Sequence, residues 1–119
     1  MIKLLGTPGE AIDIQTFPAA PHTSQKIDLV KTHDMELIQF LIPAGDGIPT
    51  YKAQGELILH CLQGRVVVSD CKNRHKLNSG QLLYFSTNEP FSIHAIEDTS
   101  LLATILTAKQ GRSVETIGD

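Results

Sequence analysis

The sequence predicts an all-β sandwich or barrel built as one domain. Three observations carry that expectation. About nine or ten short stretches read as strands, turn-forming residues separate them at close spacing, and no segment sustains a helical period. A chain of 119 residues can bury one proper core and has no room for a second.

Residues 1–9 (MIKLLGTPG) form a short apolar start broken by Gly6, Pro8 and Gly9. Ala11–Phe17 alternates weakly at Ile12 and Ile14 and reads as a first edge strand. Pro18–Gln25, with two prolines, is an irregular connection. Lys26–Lys31 sets Ile27 and Leu29 on one face, with Asp28 and Val30 on the other. No turn pairs residues 10–31 locally, which suits strand exchange between two chains. His33 and Asp34 then turn the chain into Met35–Pro43, a central-strand pattern. Its Ile38, Phe40 and Ile42 share a parity, and Glu36 marks its wet end.

Gly45–Gly64 (GDGIPTYKAQGELILHCLQG) is the organising stretch: a turn, a short strand, a second turn, and a strand stopped at the Gln63–Gly64 corner. Arg65–Asp70 is a β-branched strand, Cys71–Arg74 a polar hairpin tip, and His75–Asn78 leads back to the Ser79–Gly80 corner. Gly80–Ala95 answers the first stretch, with a strand over Gln81–Phe85, a loop over Ser86–Pro90 and a strand over Phe91–Ile96. Asp98 and Thr99 turn into a last strand, Ser100–Thr107. Lys109–Asp119 is polar and aperiodic, a tail or short docking arm.

Ten basic and 13 acidic residues give a net charge of -3 without a basic stripe, which argues against nucleic acid as a partner. No run approaches the ~18 apolar residues of a membrane span, and Met1-Ile2-Lys3 does not open a signal peptide. Cys61 and Cys71 lack CxxC spacing and read as free thiols in a reducing cytoplasm.

On these residues the chain resembles the cupin superfamily, as a small single-domain bacterial-type member with its metal-ligand positions replaced. The family's first motif is Gly, five residues, His-x-His, three or four residues, Glu, six residues, Gly. Gly45 and Gly64 fall on its glycines, while the ligand positions hold Tyr51, Ala53 and Leu57. The second motif is Gly, five residues, Pro-x-Gly, two residues, His, three residues, Asn. Gly80 opens it, Ser86 and Asn88 stand at its Pro and Gly, Phe91 at its His and Ala95 at its Asn. The resemblance implies a cupin-type jelly-roll β-barrel over residues 34–108, preceded by N-terminal strands and an arm (1–33) and followed by a tail (109–119).

In the family, three histidines and a glutamate converge on a divalent metal inside the barrel. Such a metal needs imidazole, thiolate or carboxylate donors, so the expectation here is no metal and no cofactor. Counting by twos, Leu57, Leu59 and Cys61 point inward on one strand, and Phe91, Ile93 and Ala95 on another. His60 and His94 then point outward. If Leu57 opposes Phe91, His60 opposes Asn88 and His94 opposes Gln54, so the two histidines diverge. Glu56 is one residue off the carboxylate position and is expected in solvent or in a turn hydrogen bond. His22, His33 and His75 fall in loops or turns with no partner at ligand spacing.

The expected pocket lining is Tyr51, Ala53, Leu57, Cys61 and Phe91, a mainly apolar surface suited to a small apolar or aromatic molecule. Metal-free epimerases of the family use a tyrosine acid beside a His-carboxylate base, and the sequence offers no inward His-Asp pair to complete that set. Three functions compete: a metal-free binding or sensing module working as a homodimer; a dioxygenase-, isomerase- or epimerase-type enzyme with either a rearranged metal site (Tyr51, Glu56, His60, His94) or metal-free acid–base chemistry at Tyr51; and a structural or regulatory subunit that pairs with a partner chain through its strand edges and N-terminal arm.

Overall fold

A computed structural model describes residues 6–14 and 23–107, and among them every regular element is a strand. The strands are β1 (Gln25–Lys31), β2 (Met35–Ile42), β3 (Gly47–Tyr51), β4 (Glu56–Gln63), β5 (Arg65–Asp70), β6 (Arg74–Asn78), β7 (Leu82–Phe85), β8 (Phe91–Ala95) and β9 (Thr99–Leu106). They form a five-stranded sheet A, in the order β1-β2-β9-β4-β7, and a four-stranded sheet B, in the order β3-β8-β5-β6. The inner faces of both sheets meet in one core, as the two-residue period of each strand requires. Among the described residues no helix is long and apolar enough to cross a membrane.

The alternation read from the sequence maps onto burial. Along β4, Leu57, Leu59 and Cys61 are buried while Glu56 and Ile58 are exposed; along β8, Phe91, Ile93 and Ala95 are buried and His94 is exposed. Strand β2 departs from simple alternation. Ile38, Phe40 and Ile42 enter the core, and Gln39 and Leu41 on the other face are also fully buried. The Gln39 amide donates to the Ser100 hydroxyl at 2.9 Å, so the carboxamide is hydrogen-bonded where it lies out of water.

Three expectations are corrected. Ala11–Ile14, the described part of the first predicted strand, is not in a strand; the remainder of that stretch, like residues 109–119, lies outside the described residues. Two well-placed apolar residues are too weak a signal without a neighbouring strand to complete the ladder. Residues 25–31 do find a local partner: β1 pairs antiparallel with β2 through the turn at 32–34. There the Thr32 hydroxyl accepts from the Asp34 and Met35 amides at 3.1 Å each. This Ser/Thr turn is a short-range signal that the search for Gly and Pro overlooks. Strand β1 is thus the edge of sheet A. Finally, β4 does not pair with β8: β4 lies in sheet A between β7 and β9, and β8 in sheet B between β3 and β5. His60 therefore opposes Leu82 and Leu102, and His94 opposes Gly47 and Val67.

The glycines that frame the two motifs have left-handed backbones: φ is 86° at Gly45, 95° at Gly64 and 87° at Gly80. Asn88, at the place of the second motif's internal glycine, has φ 63°. Asparagine is among the few residues with a side chain that visit this region readily. The replacement keeps the turn that delivers Phe91 to the inner face. The β2–β3 turn is fastened from two sides: the Asp98 carboxylate accepts the Ala44 amide at 2.8 Å, and the Asp46 carboxylate accepts the Ser24 amide and hydroxyl at 3.1 and 2.9 Å.

Candidate functional site

The four positions at which the motifs place ligands come together. Tyr51 pairs directly with Phe91 across β3 and β8, and Ala53, Leu57 and Phe91 are buried in the one core cluster against which Tyr51 packs. Aromatic rings fill the interior between the sheets. Phe85 and Phe91 stack with centroids 4.6 Å apart, Tyr51 lies tilted 5.8 Å from Phe91, and Phe40 meets Tyr51 edge-on at 6.0 Å. Such pairs add to the burial of large apolar rings and hold their orientations. Phe40 and Phe85 were absent from the expected lining. The inward parity of Phe40 was legible; that of Phe85 depends on the β4–β7 register, in which it opposes Leu57.

A divalent metal does not fit this interior. At the four motif positions the side chains are hydrocarbon at Ala53, Leu57 and Phe91, and the heteroatom among them, the Tyr51 phenol oxygen, is held protonated. Burial pushes its pKa above the usual value near 10, and the carboxylates of Glu36 and Asp28 push it further the same way. Among the described residues no group of three or more His, Cys, Asp and Glu side chains is arranged to hold a metal. Cys61 sits fully buried, its sulfur 3.6 Å from the Gln63 carbonyl and 3.5 Å from that of Gly64. Burial raises its pKa, so it is an inert thiol rather than a nucleophile.

Tyr51 and Ala53 reach the surface in a cleft of about 180 Å³, with Glu36, Lys52, Gln54, Ile105 and Thr107 around them. Phe91 contributes instead to a second cleft of about 280 Å³, lined by Thr50, Ser69, Asp70, Cys71, Pro90 and Ser92. Leu57 and Cys61 line neither of these. The five expected lining residues thus share a core and do not share one of the described clefts. Glu36, read as the wet end of its strand, is the polar residue that the structure adds beside Tyr51; only the β1-β2-β9 topology shows it at this mouth.

His75 is also corrected. It lies in β6, opposite the inward Val68, and its Nε2 is 3.0 Å from an Asp70 carboxylate oxygen. Asp70 opposes Phe91 across β5 and β8. A His-Asp pair therefore does exist on the inward parity at the end of sheet B, with both side chains partly exposed. The five-residue spacing of Asp70 and His75 across the Cys71–Asn73 tip could have revealed it. The same carboxylate accepts the Lys72 and Asn73 amides at 2.8 and 2.6 Å, which closes the hairpin.

These contacts, led by the Asn73 amide and followed by His75 and the Lys72 amide, lower the Asp70 pKa from 3.8 to about 2. The folded state thus binds this proton more weakly than the unfolded chain. The stabilisation is complete above 3.8 and is lost as pH falls through about 2. In acid titrations followed by NMR, Asp70→Asn is expected to remove the step that the β5–β6 amides show in that window; an unchanged step would assign it to another carboxylate.

No protein-family model matches the chain, and no curated protein does. Solved structures do match. The chain is similar to a cupin superfamily protein from Desulfitobacterium hafniense at 15% identity, over 77% of this chain and 84% of that one, with a TM-score of 0.72. It is similar to an RmlC-like cupin from Desulfovibrio desulfuricans at 17% identity, over 82% and 97%, with a TM-score of 0.70. A third match is an RmlC-like cupin family protein with a double-stranded β-helix fold from Methanocaldococcus jannaschii, 16% identical over 86% and 94%, with a TM-score of 0.70.

Proposed function

Because this chain has the small cupin fold, we propose that it is a metal-free, non-catalytic cupin that binds or senses a small molecule in the cytoplasm. The observation that supports this reading is the content of the four convergent positions: Tyr51, Ala53, Leu57 and Phe91 belong to an apolar packed cluster where a metal would need donors. Binding then falls to the mouth at Tyr51, where a ring face and a protonated hydroxyl border a cleft of about 180 Å³. A ligand with a small apolar or aromatic body and one hydrogen-bond acceptor suits that pairing.

Elemental mass spectrometry of tag-free protein tests the metal-free half of the proposal, with no stoichiometric transition metal expected. About one metal per chain, lost on chelation, would return the protein to the metal-dependent cupins. Thermal shifts with small phenols and aromatic aldehydes test the other half. A shift that weakens in Tyr51→Phe supports the site; no shift across such a panel overturns it.

A second reading, a metal-free acid–base enzyme, draws on one observation. Asp70 holds His75 at 3.0 Å and lines a cleft with Phe91, and Phe91 in turn pairs with Tyr51. That reading requires the imidazole to meet the ligand, which a ligand-dependent change in the His75 ring resonances would report.

A further inference from the structure

Strand β6 (Arg74–Asn78) ends sheet B on one side, with β5 as its partner and no further strand beyond it among the described residues. One bond fixes which way its main-chain groups point. The Asp70 amide donates to the Asn73 carbonyl at 2.9 Å, and the ladder alternates from that bonded pair. In the β5–β6 register, His75 opposite Val68 and Leu77 opposite Val66 are then the residues bonded to β5. Arg74, Lys76 and Asn78 turn their N–H and C=O groups the other way, toward the open edge. The far side of β5 carries the complementary phase, where the Ile96 amide donates to the Arg65 carbonyl at 2.8 Å.

Asn78 is already satisfied at that edge. Its amide donates to Gln81 Oε1 at 2.7 Å, and its carbonyl accepts the Gln81 amide at 3.0 Å. Arg74 and Lys76 are left, both exposed, and among the described residues neither cation belongs to an ion pair. Two carboxylates of sheet B and its connections are engaged elsewhere: Asp70 by His75 and the Lys72 and Asn73 amides, and Glu97 by Arg65. The same two residues thus offer free main-chain donors and acceptors together with free positive charge.

We propose that this edge takes an extended acidic segment of another protein as an added antiparallel strand. Such a strand sets one of its residues opposite Arg74 and another, two positions away, opposite Lys76. Each exchanges both main-chain bonds with its neighbour on β6 and shares a face with that neighbour's side chain, so acidic residues there meet the two cations. The residue opposite Leu77 lies on the parity that enters the core, which favours an apolar side chain. Read from its N-terminus, the recognised pattern is apolar, acidic, any residue, acidic. Charge selects this partner. Cations on an edge repel strands of like charge, the ordinary protection against stray pairing. A second copy of β6 paired about His75 would set Arg74 against Lys76 twice. That protection fails against a strand with opposite charge at the same spacing.

Amide hydrogen exchange followed by NMR tests the assignment, with a capped nine-residue peptide of alternating threonine and glutamate as the probe. At millimolar peptide the Arg74 and Lys76 amides are expected to slow at least about tenfold, while His75 and Leu77, already bonded to β5, change little. A peptide of the same composition with its glutamates in one block is expected to bind at least about tenfold more weakly. The double variant Arg74→Glu/Lys76→Glu, with unchanged circular dichroism, should lose the glutamate peptide and bind a threonine–lysine counterpart. No slowing at millimolar peptide overturns the proposal, as does equal binding of the block peptide or protection at another strand edge instead. Protection of both amides in the free protein overturns it too. Its loss on dilution would assign the edge to a second copy, and its loss on removal of residues 108–119 to the chain's own end.

Discussion

Replacing Phe91 by alanine is expected to destabilise the protein by about 3–5 kcal/mol, the range for deleting a buried aromatic ring. The side chain is 3% exposed, stacks on Phe85 at 4.6 Å and lies 5.8 Å from Tyr51. Its removal takes a partner from both rings at once, and the stiff sheets on either side limit collapse into the gap. The cavity left behind is lined by ring faces, and a dry apolar cavity of this kind accepts benzene. Urea denaturation measures the loss, and a benzene-dependent rise in melting temperature reports the cavity. A loss under about 1 kcal/mol would show that the ring does not fill the core at this position.

Gly64→Ala is the second large effect, because two penalties coincide there. The backbone φ of 95° is one that side chains rarely adopt. An added Cβ would also run into the Asp98 carbonyl and the Thr99 hydroxyl and Cα. Thr99 has little freedom to yield: it is fully buried, and its hydroxyl accepts the Arg65 amide at 3.1 Å and donates to the Glu97 carbonyl at 2.7 Å. A left-handed backbone costs about 1–2 kcal/mol and overpacking against fixed atoms about 1–3 kcal/mol, so a combined loss of about 2–5 kcal/mol is expected. Gly80 separates the two penalties. Its φ is 87°, yet a Cβ there meets open space, and Gly80→Ala is expected to show the conformational part alone. Equal losses at the two glycines in parallel denaturant curves would eliminate the steric contribution at Gly64.

The facing of the strands was legible in the sequence, and their partners were not. A period of two is written in the side chains themselves, so Leu57, Leu59, Cys61, Phe91, Ile93 and Ala95 could be assigned inward, and His94 outward, from parity alone. The choice of neighbour is a property of the whole topology. Leu57 and Phe91 both point inward, as read, but from opposite sheets and not from paired strands. The motif spacing located Tyr51, Ala53, Leu57 and Phe91 because left-handed turns at Gly45, Gly64, Gly80 and Asn88 fix where each strand begins. Glu36 at the Tyr51 mouth and the Asp70–His75 pair escaped for the opposite reason. One joins strands distant in the sequence, and the other hides in a hairpin whose polar tip looked like solvent-facing loop.

Strand β9 is the last of the described strands in chain order and holds the middle position in its sheet, between β2 and β4. A ribosome delivers strands in order, so sheet A has no centre until residues 99–106 have emerged. Until then β2 and β4 each keep an open edge beside some of the most apolar stretches of the sequence, the kind of edge that recruits other chains. Pairing across such separations is also slow, because the closure entropy of the long loop comes before any contact that offsets it. Folding of sheet A therefore includes an interval of exposure whose length is set by the arrival of β9.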